Sequence, residues 1–280
     1  MNATVAVVIA SKNRPELIGR AVASILEQAT QPDRILVVDQ SAISYVLEPA
    51  AGLEHIYDPS IPGLTVARNV AIDATDESIV LFLDDDAELA SDAIPAIRAA
   101  FLEHPDAVGV QCFVEQPVDR ETGQRPGLGN AAWRRWEDFF YRGFFDNRLG
   151  RIAPGSDEIA RVHGCAMAFR RELFARERFD EGLVNYSYGE DFEFSKRAIR
   201  HGKLFLVPGA HVIHHETATN RLKQRRLFAQ RWRNMLYFYD HMPRDRRPID
   251  ALWRLWWMLG ETIVWLKKGY GLPTTQPSAD

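Results

Sequence analysis

Cysteine is scarce in this 280-residue chain. Cys112 and Cys165 are the only two, too few for a disulfide framework, and each sits in an apolar run, which suits a reducing compartment. Long hydrophobic runs are missing as well. The N-terminal run covers Val5 to Ala10 with no basic segment before it, too short for a signal peptide or a membrane span. Leu255 to Leu266 is twelve residues long and contains Glu261, so it is not expected to cross a bilayer. There is no excess of positive charge: the net charge of −4 gives no reason to expect nucleic acid over the whole surface. No G-x-G-x-x-G follows the first apolar run and no G-x-x-x-x-G-K-[ST] occurs anywhere, which argues against a dinucleotide site and a P-loop. No fixed-period repeat is evident.

What the chain does have is an alternation of buried-strand and amphipathic-helix patterns. Val5 to Ala10 reads as a strand and leads into Ser11, Lys12, Asn13, Arg14 and Pro15, with Pro15 suited to the first turn of a helix. Leu17, Ile18, Ala21, Val22, Ile25 and Leu26 share one helical face. Arg34 to Ser41 predicts a strand ending in Asp39, His55 to Tyr57 a short one, and Gly63 to Ala74 a helix carrying Arg68 and Asn69. Ile79 to Leu83 is a continuous apolar run, as in a strand covered on both faces. The expected class is α/β, with a mostly parallel sheet flanked by helices.

The Ile79–Leu83 strand stops at Asp84, Asp85 and Asp86. Ligands of open α/β sheets bind at the carboxyl ends of strands, and three adjacent acids repel unless a cation or hydrogen-bond donors share them. Alternation along an extended segment turns Asp84 and Asp86 one way and Asp85 the other. Two same-facing carboxylates suit Mg2+ or Mn2+ carrying a phosphate; a solvated acidic turn or helix N-terminus is the plainer alternative.

Downstream, Ser91 to His104 predicts a helix capped by Ser91 or Asp92, and Val108 to Val114 a strand. The aromatic stretch Trp133 to Phe145 reads as a core helix, with a lid, an acceptor site or a membrane-facing surface as alternatives. Arg161 to Arg170 predicts a strand or strand–turn and Arg171 to Ala175 a short helix. A further helix should start near Gly189 and end at Gly202 as a C-cap, with Glu190 and Asp191 in its first turn. An ionised carboxylate there fits a general base. Lys203 to Gly209 predicts a strand, and His211, His214 and His215 follow it as candidate metal ligands. Thr217 to Tyr239 predicts a helix with Arg221, Lys223, Arg225, Arg226, Arg231 and Arg233 and no acid. Pro248 to Lys268 predicts another, with Trp253, Trp256, Trp257 and Trp265, and residues 272–280 read as a disordered tail.

In order, Ser11–Pro15, Val37–Ser41, Gly63–Asn69, Phe82–Asp86, Gly189–Phe192 and Val212–His215 make the chain resemble family 2 glycosyltransferases of the GT-A fold over roughly residues 3 to 220. That resemblance implies an inverting transferase moving a sugar from a nucleoside-diphosphate sugar to an acceptor hydroxyl with Mn2+ or Mg2+, in bacterial-type polysaccharide or glycolipid synthesis. It implies a donor site drawn from Ser11, Asn13, Arg14, Asp39, Arg68, Asp84 and Asp85. Within it, Ser11 and Asp39 would hold the base, Arg68 the base or diphosphate and Asp84 the ribose side. Asp86 and His214 would meet the metal, and Asp191 would be the catalytic base. The expected division is a donor half over 1–110, an acceptor and catalytic half over 111–216, and basic and Trp-rich helices over 217–271. Those helices favour a glycan, lipid-linked or small-molecule acceptor presented at a membrane. They imply peripheral contact through residues 217–268 and a cytoplasmic place at the inner face of the membrane.

A sugar nucleotidyltransferase would also use aspartates and a metal, but it would carry a glycine-rich basic loop where Ser11 to Pro15 stands. A non-catalytic nucleotide-sugar or glycan-binding protein would have no need of Asp84, Asp86 and Asp191 together. A membrane-scaffold role for the C-terminal helices is a third reading.

Overall fold

The computed structural model describes residues 3–115, 157–183, 187–215, 224–241 and 248–267. The aromatic stretch 133–145, the start of the basic helix at 217–223 and the tail at 272–280 lie outside the described residues. Those residues form two compact units. One comprises 3–115, 157–183 and 187–215; the other comprises the helices at 224–241 and 248–267.

The first unit is built on nine strands among the described residues. Strands β1 (Val5–Ser11), β2 (Arg34–Asp39), β3 (Leu53–Tyr57) and β4 (Ile79–Asp84) pair in parallel in the order β3-β2-β1-β4. The later strands are β5 (Ala87–Leu89), β6 (Ala107–Glu115), β7 (Glu158–Ile159), β8 (Ala166–Arg170) and β9 (Lys203–His214). Beyond β4 comes β8, antiparallel both to β4 and to β6. β9 lies parallel to β6 and carries β5 and β7 as antiparallel partners. β1, β2, β3, β4, β6 and β9 therefore share one direction, and the expected mostly parallel α/β sheet is present.

Helices α1 (Pro15–Leu26) and α3 (Ala93–Glu103) cover one face, while α2 (Leu64–Ala74) and α4 (Glu190–Ala198) cover the other. The pleat divides each strand between them. Val5, Val7 and Ile9 join Ile18, Ile25, Ile94 and Phe101 in one cluster; Val8 joins Leu36, Val80, Phe82, Ala71 and Phe194 in the other. Covering on both faces is why these strands read as unbroken apolar runs rather than alternating ones. The register brings Ser11 opposite Asp39 and Ala10 opposite Asp84. The polar ends of β1, β2 and β4 thus emerge along one edge.

Several local expectations are revised. α3 takes Asp92 as its N-cap without a side-chain capping bond, and Ser91 instead gives its carbonyl to the Ala29 amide. Arg171–Ala175 is a 3-10 turn. α4 ends at Ala198, four residues before Gly202. Gly202 is no C-cap: a Cβ there would come within 2.5 Å of Val108 Cγ1 and 2.6 Å of the Asp106 carbonyl, so it is a point of close backbone approach. β9 runs through Pro208 into the histidines, where a strand and a following segment are expected. Cys112 faces Val207 and Phe113 faces His211, leaving residues 208–210 as a bulge that accommodates the proline.

In the second unit, α5 (Gln224–His241) and α6 (Pro248–Lys267) meet through Trp232 and Trp257, whose ring centroids are 5.2 Å apart. Arg254 Nη1 lies 3.6 Å from Asp240 Oδ1.

Two glycines give opposite expectations. Gly202→Ala should cost about 1–3 kcal/mol through overpacking. Gly19→Ala, in α1 with nothing within 4 Å of a new Cβ, should gain about 0.5–1 kcal/mol. Urea unfolding of both variants checks this, and equal effects would refute the packing account of Gly202.

Candidate active site

The three aspartates divide as the pleat requires. Asp85 turns back beneath the edge and is pinned: Ser11 Oγ donates to its Oδ2 at 2.5 Å and Arg14 Nη1 to its Oδ1 at 2.9 Å. Burial pushes Asp85 up to about 6, with Ser11 and Arg14 opposing. Asp84 and Asp86 turn the other way and meet His214, brought in by β9, so that ligand atoms of all three lie within 4.8 Å of one another. His214 Nε2 is 3.0 Å from Asp86 Oδ1. The other two histidines are placed elsewhere: His211 pairs with Glu115 at 2.9 Å and His215 with Glu88 at 2.8 Å. Two carboxylates and one imidazole fit a divalent cation, the carboxylates suiting Mg2+ or Mn2+.

Next to this group Arg68 is buried, with its guanidinium carbon 5.2 Å from the Phe179 ring centroid and 5.7 Å from that of Phe82. Its Nη1 donates to Glu190 Oε1 at 2.8 Å and its Nη2 to the Gly164 carbonyl at 2.9 Å, and Nη2 lies 3.6 Å from Asp84 Oδ1. Gly164 in turn donates its amide to Asp191 Oδ2 at 3.0 Å, and the Phe192 amide donates to Asp191 Oδ1 at 2.7 Å. Asp191 is half-buried in the first turn of α4. Burial pushes Asp84 above the ordinary carboxylate range, Arg68 and His214 pull it back, and Asp86 and Asp191 add to the rise. Burial and the neighbouring Asp191 push Glu190 up to about 7 against the pull of Arg68.

At the end of β2, Asp39 is fully buried. Its Oδ1 accepts the Ser41 amide at 2.8 Å, whereas its Oδ2 has no hydrogen-bond partner and lies 3.5 Å from His55 Nε2. His55 Nε2 is also buried and unbonded, and its ring stacks on that of Tyr45 with centroids 5.4 Å apart. Asn13, at φ 58°, ties the loop after β1 to the loop after β2: it takes Ser41 Oγ on its amide and the Ala42 amide on its Oδ1.

The sequence-predicted residues therefore fall into three neighbourhoods. Asp84, Asp86, His214, Arg68 and Asp191 come together; Ser11 and Arg14 hold Asp85; Asp39 and Asn13 shape the end of β2. Gly164, Glu190, His55 and Tyr45 were not singled out for these roles. A glycine between His163 and an apolar run was the one available signal for Gly164, where a Cβ would lie 2.8 Å from Glu190 Oε1 and 3.3 Å from Arg68 Nη2.

Residues 6–177 match the family model described as glycosyl transferase family 2, and the chain belongs to that family; it is a glycosyltransferase. No curated protein sequence matches it. Among solved structures, the mannosyltransferase PcManGT from Pyrobaculum calidifontis, in complex with GDP-Man and Mn2+, is 15% identical with a TM-score of 0.58, over 98% of this chain and 77% of that one. GalNAc-T7 with UDP, GalNAc and Mn2+ is 16% identical with a TM-score of 0.59. There the match covers 97% of this chain but only 58% of that one, so this chain spans little more than half of GalNAc-T7. S. aureus TarS 1-349 is 14% identical with a TM-score of 0.60, over 97% and 75%. At these identities the likeness is one of fold, and the fold is GT-A.

The raised Glu190 gives a signed prediction. A folded-state value above the ordinary 4.5 means that stability present below that value is lost as pH rises through about 7. Between pH 5 and 8 the wild type should therefore lose stability relative to Glu190→Gln, which keeps an acceptor for Arg68. Denaturant unfolding of both across that range measures it, and a difference that does not change with pH would sink the assignment.

Proposed function

We propose that the chain is a metal-dependent, inverting transferase that moves a glycosyl group from a nucleoside-diphosphate sugar to an acceptor hydroxyl. The observation that carries this reading is the meeting of Asp84, Asp86 and His214 within 4.8 Å, beside a carboxylate, Asp191, that two backbone amides hold in place. Mn2+ or Mg2+ on Asp84, Asp86 and His214 would supply positive charge against the leaving diphosphate. The imidazole tilts that choice toward Mn2+.

The remaining work belongs to side chains. Asp39 Oδ2, buried and unbonded, suits a base N–H, with His55 and Tyr45 beside it and Ser11 at the adjacent strand end. Asp84, at the end of β4 opposite Ala10 of β1, suits the ribose side. Arg68 is engaged with Glu190, Gly164 and Asp84, and in this reading it sets the charge of the site and fixes the Gly164 loop. Asp191 accepts the acceptor hydroxyl's proton as the oxygen attacks the anomeric carbon from the face opposite the diphosphate. The C–O bond to the diphosphate breaks as the new one forms, its electron pair leaves on the diphosphate oxygen, and the configuration at carbon inverts. The acceptor is a glycan, lipid-linked or small-molecule hydroxyl, in polysaccharide or glycolipid synthesis. Peripheral membrane contact through the C-terminal helices fits a lipid-linked acceptor. A cytoplasmic place fits the two buried free thiols.

A thermal-shift panel of UDP-, GDP- and dTDP-sugars with and without Mn2+ tests the donor site, since a ligand bound to the folded state raises the melting temperature. One base should give a metal-dependent shift that Asp86→Ala abolishes. Asp191→Asn should keep that shift while diphosphate release falls by about 10²–10⁴-fold. Unchanged turnover in Asp191→Asn would remove it as the base, and a full shift in Asp86→Ala would remove the metal site.

A further inference from the structure

α6 does not turn all of its tryptophans outward. Trp257 is buried and packs on Trp232. The exposed side carries Leu252 at 64%, Leu255 at 62%, Leu259 at 48% and Leu266 at 67% exposure, with exposed Thr262 in line. At about 100° per residue these five fall within an arc of about 80°, roughly opposite Trp257. By the same count, Asp250, Arg254, Glu261 and Lys267 stand at helical positions outside that arc, so no charged residue falls within it over four turns. Scattered exposed leucines need no explanation, whereas an uncharged stripe of this length does.

Charge selects what covers it. Between Lys223 and Lys268 the sequence has eleven Lys and Arg against four Asp and Glu, in a chain whose net charge is −4. Arg226 and Arg233 of α5 are exposed. Two copies of so basic a segment would repel each other, and the positions flanking the stripe, Trp256, Met258, Ile263 and Trp265, offer no paired charges to specify a coiled coil. An anionic lipid surface attracts the basic residues and buries the leucines. No helix among the described residues is long and apolar enough to cross a membrane.

We propose that the Leu252–Leu255–Leu259–Leu266 face of α6 lies in the interface of an anionic bilayer, with the leucines inserted and the net positive charge of the segment attracted by the anionic headgroups. This deepens the membrane contact proposed above and is independent of the donor site.

The test is co-flotation of the full chain with vesicles of phosphatidylcholine alone or mixed with phosphatidylglycerol, at low and high salt, alongside its solution mass. Binding to the anionic vesicles only, weakened by salt, is expected. Leu255→Glu with Leu259→Glu should weaken it about tenfold or more, and Arg226→Gln and Arg233→Gln about fivefold each. All these variants should keep the donor-induced thermal shift, which separates failure of this inference from failure of the transferase reading. Equal binding to neutral vesicles, no binding to anionic ones, or unweakened binding by the leucine variant overturns it. A dimer abolished by the leucine variant would overturn it in favour of a second copy.

Discussion

One buried guanidinium holds the site together. Asp84, Asp86, Glu190 and Asp191 crowd around a single strand end, and like charges that close cannot all ionise without compensation. Arg68 supplies it from below, braced on Phe82 and Phe179, with its donors divided between Glu190 and the Gly164 carbonyl. A buried charge survives only when paired and hydrogen-bonded, and here each requirement is met by a residue of the site itself. Burial first, and the neighbouring acids after it, still hold Asp84 and Glu190 above the ordinary carboxylate range. Added positive charge at Asp84 and Asp86 would relieve the strain further, which is a physical reason for a cation at this strand end.

Asp85 shows how the same strand serves two purposes. Its neighbours face His214, while it ties β4 to Ser11 at the end of β1 and to Arg14 just before α1. The acidic cluster is thus half site and half fastening, and the fastening keeps the strand ends level.

The parallel core was legible because each strand's apolar run and each helix's stripe report local burial. The alternation of Asp84, Asp85 and Asp86 was equally legible, since it depends only on the pleat. What could not be read were relations between distant segments. Periodicity does not give a strand's direction, so the antiparallel β8 between β4 and β6 was invisible. The choice of His214 over His211 and His215 follows from pairing with β5 across more than a hundred residues. Gly164 carries no pattern of its own; its role exists only once α2 and α4 are in place. His55 and Tyr45 sit in a weak strand and a loop, and only the burial of Asp39 makes them relevant.

The bulge in β9 has a meaning beyond accommodating a proline. It separates the part of the strand fixed by β6 up to Val207 from the part that begins again at His211. Its three residues act as a spacer between scaffold and chemistry. Lengthening or shortening it would leave the sheet before it in register while sliding the histidines past Asp84 and Asp86. Within one unchanged fold, that gives sequence change a dial for bringing an imidazole up to the two carboxylates or drawing it away.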